Sequence, residues 1–135
     1  MHLIEWKTQY SVDIRQVDNE HKHLIGLLNV LFTAMTQGRG KEVLGQLFEK
    51  LLDYTKYHFS TEERLMSIHG YPEYTHHKKE HNELTKQVLT FKEQFDKGQA
   101  NISIITYNFL KEWLNKHILG TDKKFGPFLK SKGVN

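Results

Sequence analysis

The sequence predicts an all-α fold: an antiparallel, up-down-up-down four-helix bundle with an N-terminal arm and a short C-terminal helical turn. Two observations carry this expectation. Apolar residues recur at alternating intervals of three and four in four separate stretches, which is the signature of amphipathic helices. Between the stretches stand short breakers: Gly38 with Gly40, Gly70-Tyr71-Pro72, and Gly98. Helices joined by connections this short lie antiparallel to their neighbours. At 135 residues the chain has room for one domain, spanning residues 1–135, with a sizeable core.

Taken in order, residues 1–17 show no sustained period. Trp6, Tyr10, Val12 and Ile14 suit an extended arm laid over the rest. Asp18 is placed to cap a first helix, with Glu20 in its first turn and a stripe of His21, Leu24, Leu28, Leu31 and Met35. A second helix, about 41–68, carries Leu44, Leu47, Leu51, Thr55, His58, Glu62 and Leu65 on one face. A third, about 72–97, has Pro72 in its first turn and a seam of His77, His81, Leu84, Val88, Phe91 and Phe95. Asn101 can cap a fourth, whose stripe is Ile102, Ile105, Phe109, Trp113 and His117. Gly120 then interrupts, Thr121 caps a last turn, and Phe125, Phe128 and Leu129 anchor the tail.

Composition removes several function classes. The net charge of +3 is mild, and the group Lys123, Lys124, Lys130 and Lys132 reads as a solvated end, so no nucleic-acid partner is expected. The absence of cysteine excludes disulfides, thiolate zinc sites, cysteine-held iron–sulfur clusters and covalent c-type haem. The longest mostly apolar run, Leu24 to Phe32, is too short to insert in a membrane. Met1 to Lys7 lacks the pattern of a signal peptide, and a cytoplasmic location is expected. Nine histidines remain to be explained.

Their spacing explains them. His58 with Glu62, and His77 with His81, stand four residues apart, about 40° apart on one helix face. All four lie on apolar stripes and should point inward, where a buried imidazole or carboxylate needs a partner. In an antiparallel bundle His21, His58, Glu62, His77, His81 and His117 all fall at one end. Glu62 lies eight residues before Gly70 and His81 nine after Pro72, which sets them at nearly equal depth. Asp122 joins them only if the helix breaks, because five residues rotate about 140° on a regular helix; Gly120 is the expected break. Histidines 2, 23, 69 and 76 are left at the surface or behind the ligands, and Glu63 turns about 100° away from Glu62 as an ordinary surface acid.

Seven ligands exceed the needs of one ion and indicate two. With both carboxylates bridging, the side chains give nine donors, and an oxide or hydroxide bridge brings eleven of the twelve that two octahedral ions require. One position stays open on one ion, as needed for a small external ligand. Ligand type does not choose the metal, since zinc takes such donors at least as well as ferrous iron.

The stretches Val17-Asp18-Asn19-Glu20-His21, His58-Phe59-Ser60-Thr61-Glu62-Glu63, His77 with His81, and His117-Ile118-Leu119-Gly120-Thr121-Asp122 resemble the bacterial hemerythrins, over nearly the whole chain. The resemblance implies two iron ions bridged by oxide or hydroxide, with dioxygen as the ligand. It assigns His77, His81 and His117 to one iron, His21 and His58 to the iron with the open position, and Glu62 and Asp122 to the bridges. It also implies an oxygen pocket lined by Leu24, Phe59, Trp113, Leu114 and Ile118. The expected function is reversible dioxygen binding, as carrier, store or supplier to an oxygen-consuming partner protein. The alternatives are a di-iron enzyme using dioxygen or peroxide, or an oxygen or iron sensor. Five neutral imidazoles with only two carboxylates disfavour high-valent iron, so a non-enzymatic role is expected.

Overall fold

The computed structural model describes residues 4–38, 41–98 and 102–135, with residues 102 and 103 described by main chain alone. Expectations placed on His2, Gly40, Asn101 and the side chain of Ile102 lie outside the described residues. Four long helical segments form the body: α1 (Arg15–Thr36), α2 (Lys41–His69), α3 (Tyr74–Asp96) and α4 (Ile102–Lys116). A π-helical turn, His117–Asp122, follows α4 directly and runs on into α5 (Lys123–Ser131). Each of α1 to α4 packs on the next, and α4 closes the ring on α1. This is the four-helix bundle, and no strand occurs among the described residues.

Burial follows the stripes on three helices. Leu24, Leu28, Leu31, Leu51, Leu52, Leu84, Val88, Leu110 and Leu114 meet in the middle of the bundle. Phe48, Phe91 and Phe95 fill the end remote from the histidines, where Phe48 and Phe95 stack at 5.2 Å. Val12, Ile14, Val17, Met66, Tyr71, Phe125 and Leu129 plug the histidine end. Gly70 (φ +69°) turns the chain out of α2, and the Tyr71 N–H donates to the Met66 carbonyl at 2.9 Å, satisfying one of the last open carbonyls. Pro72 sits in the turn ahead of α3, which begins at Tyr74.

The arm is strapped down at three points. The Asn29 amide clamps Ile4, accepting from its N–H at 2.9 Å and donating to its carbonyl at 2.8 Å. Tyr10 donates its hydroxyl to Asn115 on α4 at 3.1 Å. Asp18 accepts from the Ser11 hydroxyl and the Val12 N–H, at 2.5 and 2.8 Å. Asp18 is therefore not the N-cap of α1. The helix starts earlier, at Arg15 with Ile14 as its cap residue, and Asp18 reaches back to hold the arm. The Val12 carbonyl lies so close to Gly126 that any Cβ there would collide with it.

Two further expectations are corrected. The inward stripe of α4 is Thr106, Tyr107, Leu110 and Leu114, while Ile105 is 49% exposed. Thr106 disguises an inward position as a polar one, so the apolar pattern leads the reading about one residue astray. Phe109 and Trp113 lie half-buried at the edge, and both stripes converge on His117. Gly120 does not break the helix either, and Thr121 caps nothing. The chain stays helical through both residues, and the Thr121 hydroxyl donates to Glu80 at 2.8 Å.

Candidate metal centre

The helices bring all seven sequence-selected residues to one point. His21 comes from α1, His58 and Glu62 from α2, His77 and His81 from α3, and His117 and Asp122 from the π turn. None is more than 3% exposed. The π turn explains how His117 and Asp122 share a face. Its hydrogen bonds close from i to i+5, so the residue five on stands one turn beyond, where a regular α-helix would have rotated it away.

The five imidazoles turn Nε2 inward onto two carboxylates, and the pattern of partners is ordered. Glu62 Oε1 lies 3.3 Å from His77 and 3.0 Å from His81, while its Oε2 lies 3.5 Å from His21 and 3.3 Å from His58. Asp122 Oδ1 lies 3.0 Å from His77 and 3.2 Å from His117, while its Oδ2 lies 3.1 Å from His21. Each acid thus gives one oxygen to the group His77, His81 and His117 and the other to the group containing His21. Ligand-competent atoms gather in two overlapping sets, Glu62 with His77, His81 and His117, and Glu62 with His21 and His58.

The buried polar atoms of this cluster could hold a cation. Nε2 of His21, His58, His81 and His117, Oε2 of Glu62 and both Asp122 oxygens are buried without a hydrogen-bond partner. Leaving so many polar atoms unsatisfied is costly unless something charged sits among them. Burial opposes charge on His21, yet the carboxylates of Asp122 and Glu62 close beside its Nε2 push its pKa up to about 10. His77 rises to about 10 and His117 to about 9 against the same burial penalty. Burial works against ionised Glu62 and Asp122 too, but the surrounding imidazoles hold both well below the usual carboxylate range. In the metal-free chain, protons stand where cations would.

Three acids stand behind the candidate ligands: Glu20, read from the sequence only as a first-turn acid, Glu63, read as a surface acid, and Glu80, which the sequence reading passed over. Glu20 Oε1 lies 2.7 Å from Nδ1 of His58, and its Oε2 accepts from Thr61 and Gln16, each at 3.2 Å. Glu63 Oε2 lies 3.0 Å from Nδ1 of His81. Glu80 lies 3.9 Å from Nδ1 of His117, an electrostatic contact rather than a direct hydrogen bond. Glu63 is accordingly no ordinary surface acid; its side chain is only 21% exposed and lies against Nδ1 of His81. Carboxylates in this place fix the tautomer and orientation of metal-ligating histidines. The remaining described histidines stay out of the site: His23 lies against Tyr54 at 4.1 Å, His76 is 68% exposed near Glu80, and His69 ends α2.

The profile of the hemerythrin HHE cation binding domain matches residues 12–129. The chain belongs to the hemerythrin family. It is 31% identical to the bacteriohemerythrin of Methylococcus capsulatus over 96% of its own length and 98% of that protein. It is 32% identical to the bacteriohemerythrin of Stenotrophomonas maltophilia, covering 97% of this chain and 84% of the relative. A crystal structure of wild-type hemerythrin superposes with a TM-score of 0.86 at 30% identity, covering 95% of this chain and 98% of the other.

This hemerythrin-family chain also holds an apolar cavity against its histidines. Leu24, Phe59, Trp113 and Leu114 line it together with His21, His58 and His117, and Thr55 adds a buried hydroxyl that donates to the Leu51 carbonyl at 2.7 Å. Its free volume is about 10 Å³, the lower bound for one water-sized guest. Phe59 stacks on His81 at 3.8 Å and Trp113 on His117 at 4.2 Å, so both rings brace ligands as well as wall the cavity. Ile118 lies outside this lining. It is buried on another side, where with Ile25, Leu114 and Leu119 it floors a cleft of about 480 Å³ beneath the arm.

Proposed function

We propose that the chain binds dioxygen reversibly at a pair of iron ions, serving as an oxygen carrier, store or local supplier. The observation that supports this most is the division of each carboxylate between two imidazole groups. His77, His81 and His117 with one oxygen from each of Glu62 and Asp122 would hold one ion and, with an oxide or hydroxide, would give it six donors. His21 and His58 with the other two oxygens would hold a second ion and, with the same oxide or hydroxide, would leave it one donor short.

Two ferrous ions there would supply the two electrons that dioxygen takes up on binding. The side chains do the rest. Leu24, Phe59, Trp113 and Leu114 give the guest an apolar, water-poor enclosure beside His21 and His58. These side chains exclude water, and with it a source of protons, from the space beside His21 and His58. The names of the bacteriohemerythrin relatives support the same reading.

The test is iron content together with the visible spectrum. About two irons per chain are expected, with an absorption band that vanishes on deoxygenation and returns with air, and no repeated turnover when a reductant is supplied. A chain loaded with two irons whose spectrum ignores oxygen overturns the carrier reading. Sustained oxygen consumption with a reductant makes the protein a di-iron enzyme instead.

A further inference from the structure

Direct ligands supply two acids to the pair of ion positions, yet Glu20, Glu63 and Glu80 stand one imidazole farther out and are divided unevenly. Glu63 and Glu80 face His81 and His117, both in the three-histidine group, and Glu20 faces His58 in the other. We propose that these acids are positioning residues that tune the two ion positions separately: Glu63, and more weakly Glu80, act on the three-histidine ion, and Glu20 acts on the ion with the open position. The inference rests on the di-iron reading.

The physical argument runs through the imidazole. A ring whose Nδ1–H donates to a carboxylate is more basic at Nε2, pushes more charge onto the metal and favours the ferric state. Burial keeps water from screening that effect, because Glu20 is 5% exposed and His58 and His81 at most 1%.

The acids are held for this work. Glu20 is fixed by Thr61 and Gln16 as well as by His58, and Glu80 accepts from the Thr121 hydroxyl on both oxygens, at 3.1 and 2.8 Å. The contacts weaken in the order 2.7, 3.0 and 3.9 Å for Glu20, Glu63 and Glu80, which ranks their influence. Nδ1 of His21, His77 and His117 is buried with no hydrogen-bond partner, so each ion position holds a ligand without a directly bonded carboxylate, and Glu80 acts on His117 through its charge alone.

At Glu20 and Glu63 a glutamine separates charge from geometry, since the amide oxygen still accepts the Nδ1–H; at Glu80 it removes the charge facing His117. Glu20→Gln, Glu63→Gln and Glu80→Gln proteins would be loaded with ferrous iron, then measured for iron content, reduction potential and Mössbauer spectrum. Azide added to the oxidised protein identifies the doublet of the open-position ion. Each variant should keep two irons and move to a higher potential, least for Glu80→Gln. Glu20→Gln should shift the azide-sensitive doublet, and Glu63→Gln the other.

The alanine variants should lose about 10- to 100-fold in metal affinity, a loss the glutamine variants largely rescue. Should Glu63→Gln not hold iron, Glu80→Gln reads the same ion. Two irons with unmoved potentials, or the same doublet shifted by Glu20→Gln and Glu63→Gln, overturns this inference and leaves the di-iron reading standing. A wild-type chain that takes up no iron overturns both.

Discussion

Filling the site with metal should expel protons, and the number follows from the geometry. Burial alone would keep His21, His77 and His117 neutral, but Glu62 and Asp122 at 3.0 to 3.5 Å raise them to about 10, 10 and 9. At pH 7.5 the metal-free chain therefore carries a proton on each of these three rings. Glu62 and Asp122 are already ionised and contribute none. Cations at Nε2 displace the imidazole protons, and His58 is raised as well, against its burial, by Glu62 and Glu20, so uptake should release at least about three per chain, with about one more from the water that becomes the bridge. At pH 10 the share from His21, His77 and His117 should drop to about one. Anaerobic titration with ferrous iron or zinc, in weak buffer with an indicator dye, measures the release directly. Fewer than one proton per chain at pH 7.5 would refute the reasoning, because the rings would then be neutral before any metal arrives. The same shifts set the stability of the metal-free protein. The four raised histidines, His21, His58, His77 and His117, stabilise fully below about pH 6.5 and lose that contribution as pH climbs through their raised values, about 9 to 10 for His21, His77 and His117. The two depressed acids stabilise above about pH 4.5 and lose theirs as pH falls. Metal-free melting temperature should thus peak between those limits and decline on both sides.

Other outcomes are open to direct measurement. Glu62→Ala should lower iron content and melting temperature together, since one oxygen is lost from each ion position, whereas Glu63→Ala should keep the fold and weaken metal affinity about 10-fold or more. Iron stoichiometry and melting curves of the two variants separate them. Trp113→Ala opens the cavity wall and removes the ring stacked on His117 while sparing every ligand. It should leave iron content largely intact and speed oxygen release and autoxidation, as read by stopped-flow absorbance; unchanged rates would make Trp113 mere packing. Gly126→Ala sets a methyl group on the Val12 carbonyl and should cost about 1–3 kcal/mol in chemical denaturation, with the arm displaced.

The sequence carried what is local and periodic. Spacings of four put His58 with Glu62 and His77 with His81, and an antiparallel bundle then brings the pairs to one depth, which is the arrangement observed. Contacts between side chains far apart in sequence left no such trace. Glu20 and His58 are 38 residues apart and Glu63 and His81 are 18 apart, so neither link follows from a periodic pattern. Glu63 was misread for a definite reason. Rotation of about 100° from Glu62 does move it off the inward stripe, but α3 packs beside α2 closely enough for His81 to meet it from the flank. The α4 register failed where composition misleads, with two isoleucines exposed at 104 and 105 and a threonine buried at 106.

The π turn shows why the last ligand pair was the hardest to derive. Regular helix geometry forbids residues five apart from sharing a face, so the sequence argument had to end the helix at Gly120. The chain meets the same requirement by widening one turn instead, and α4 and α5 remain continuous through it. A break would have freed backbone groups at the buried end of the site, where partners are scarce. The widened turn shifts the hydrogen-bond ladder by one residue while keeping it helical. It also carries Thr121 to Glu80, the acid facing His117. One irregular turn therefore sets His117, Asp122 and the support of Glu80 at once. A residue inserted at 117–122 should damage metal binding far more than one inserted near Thr36.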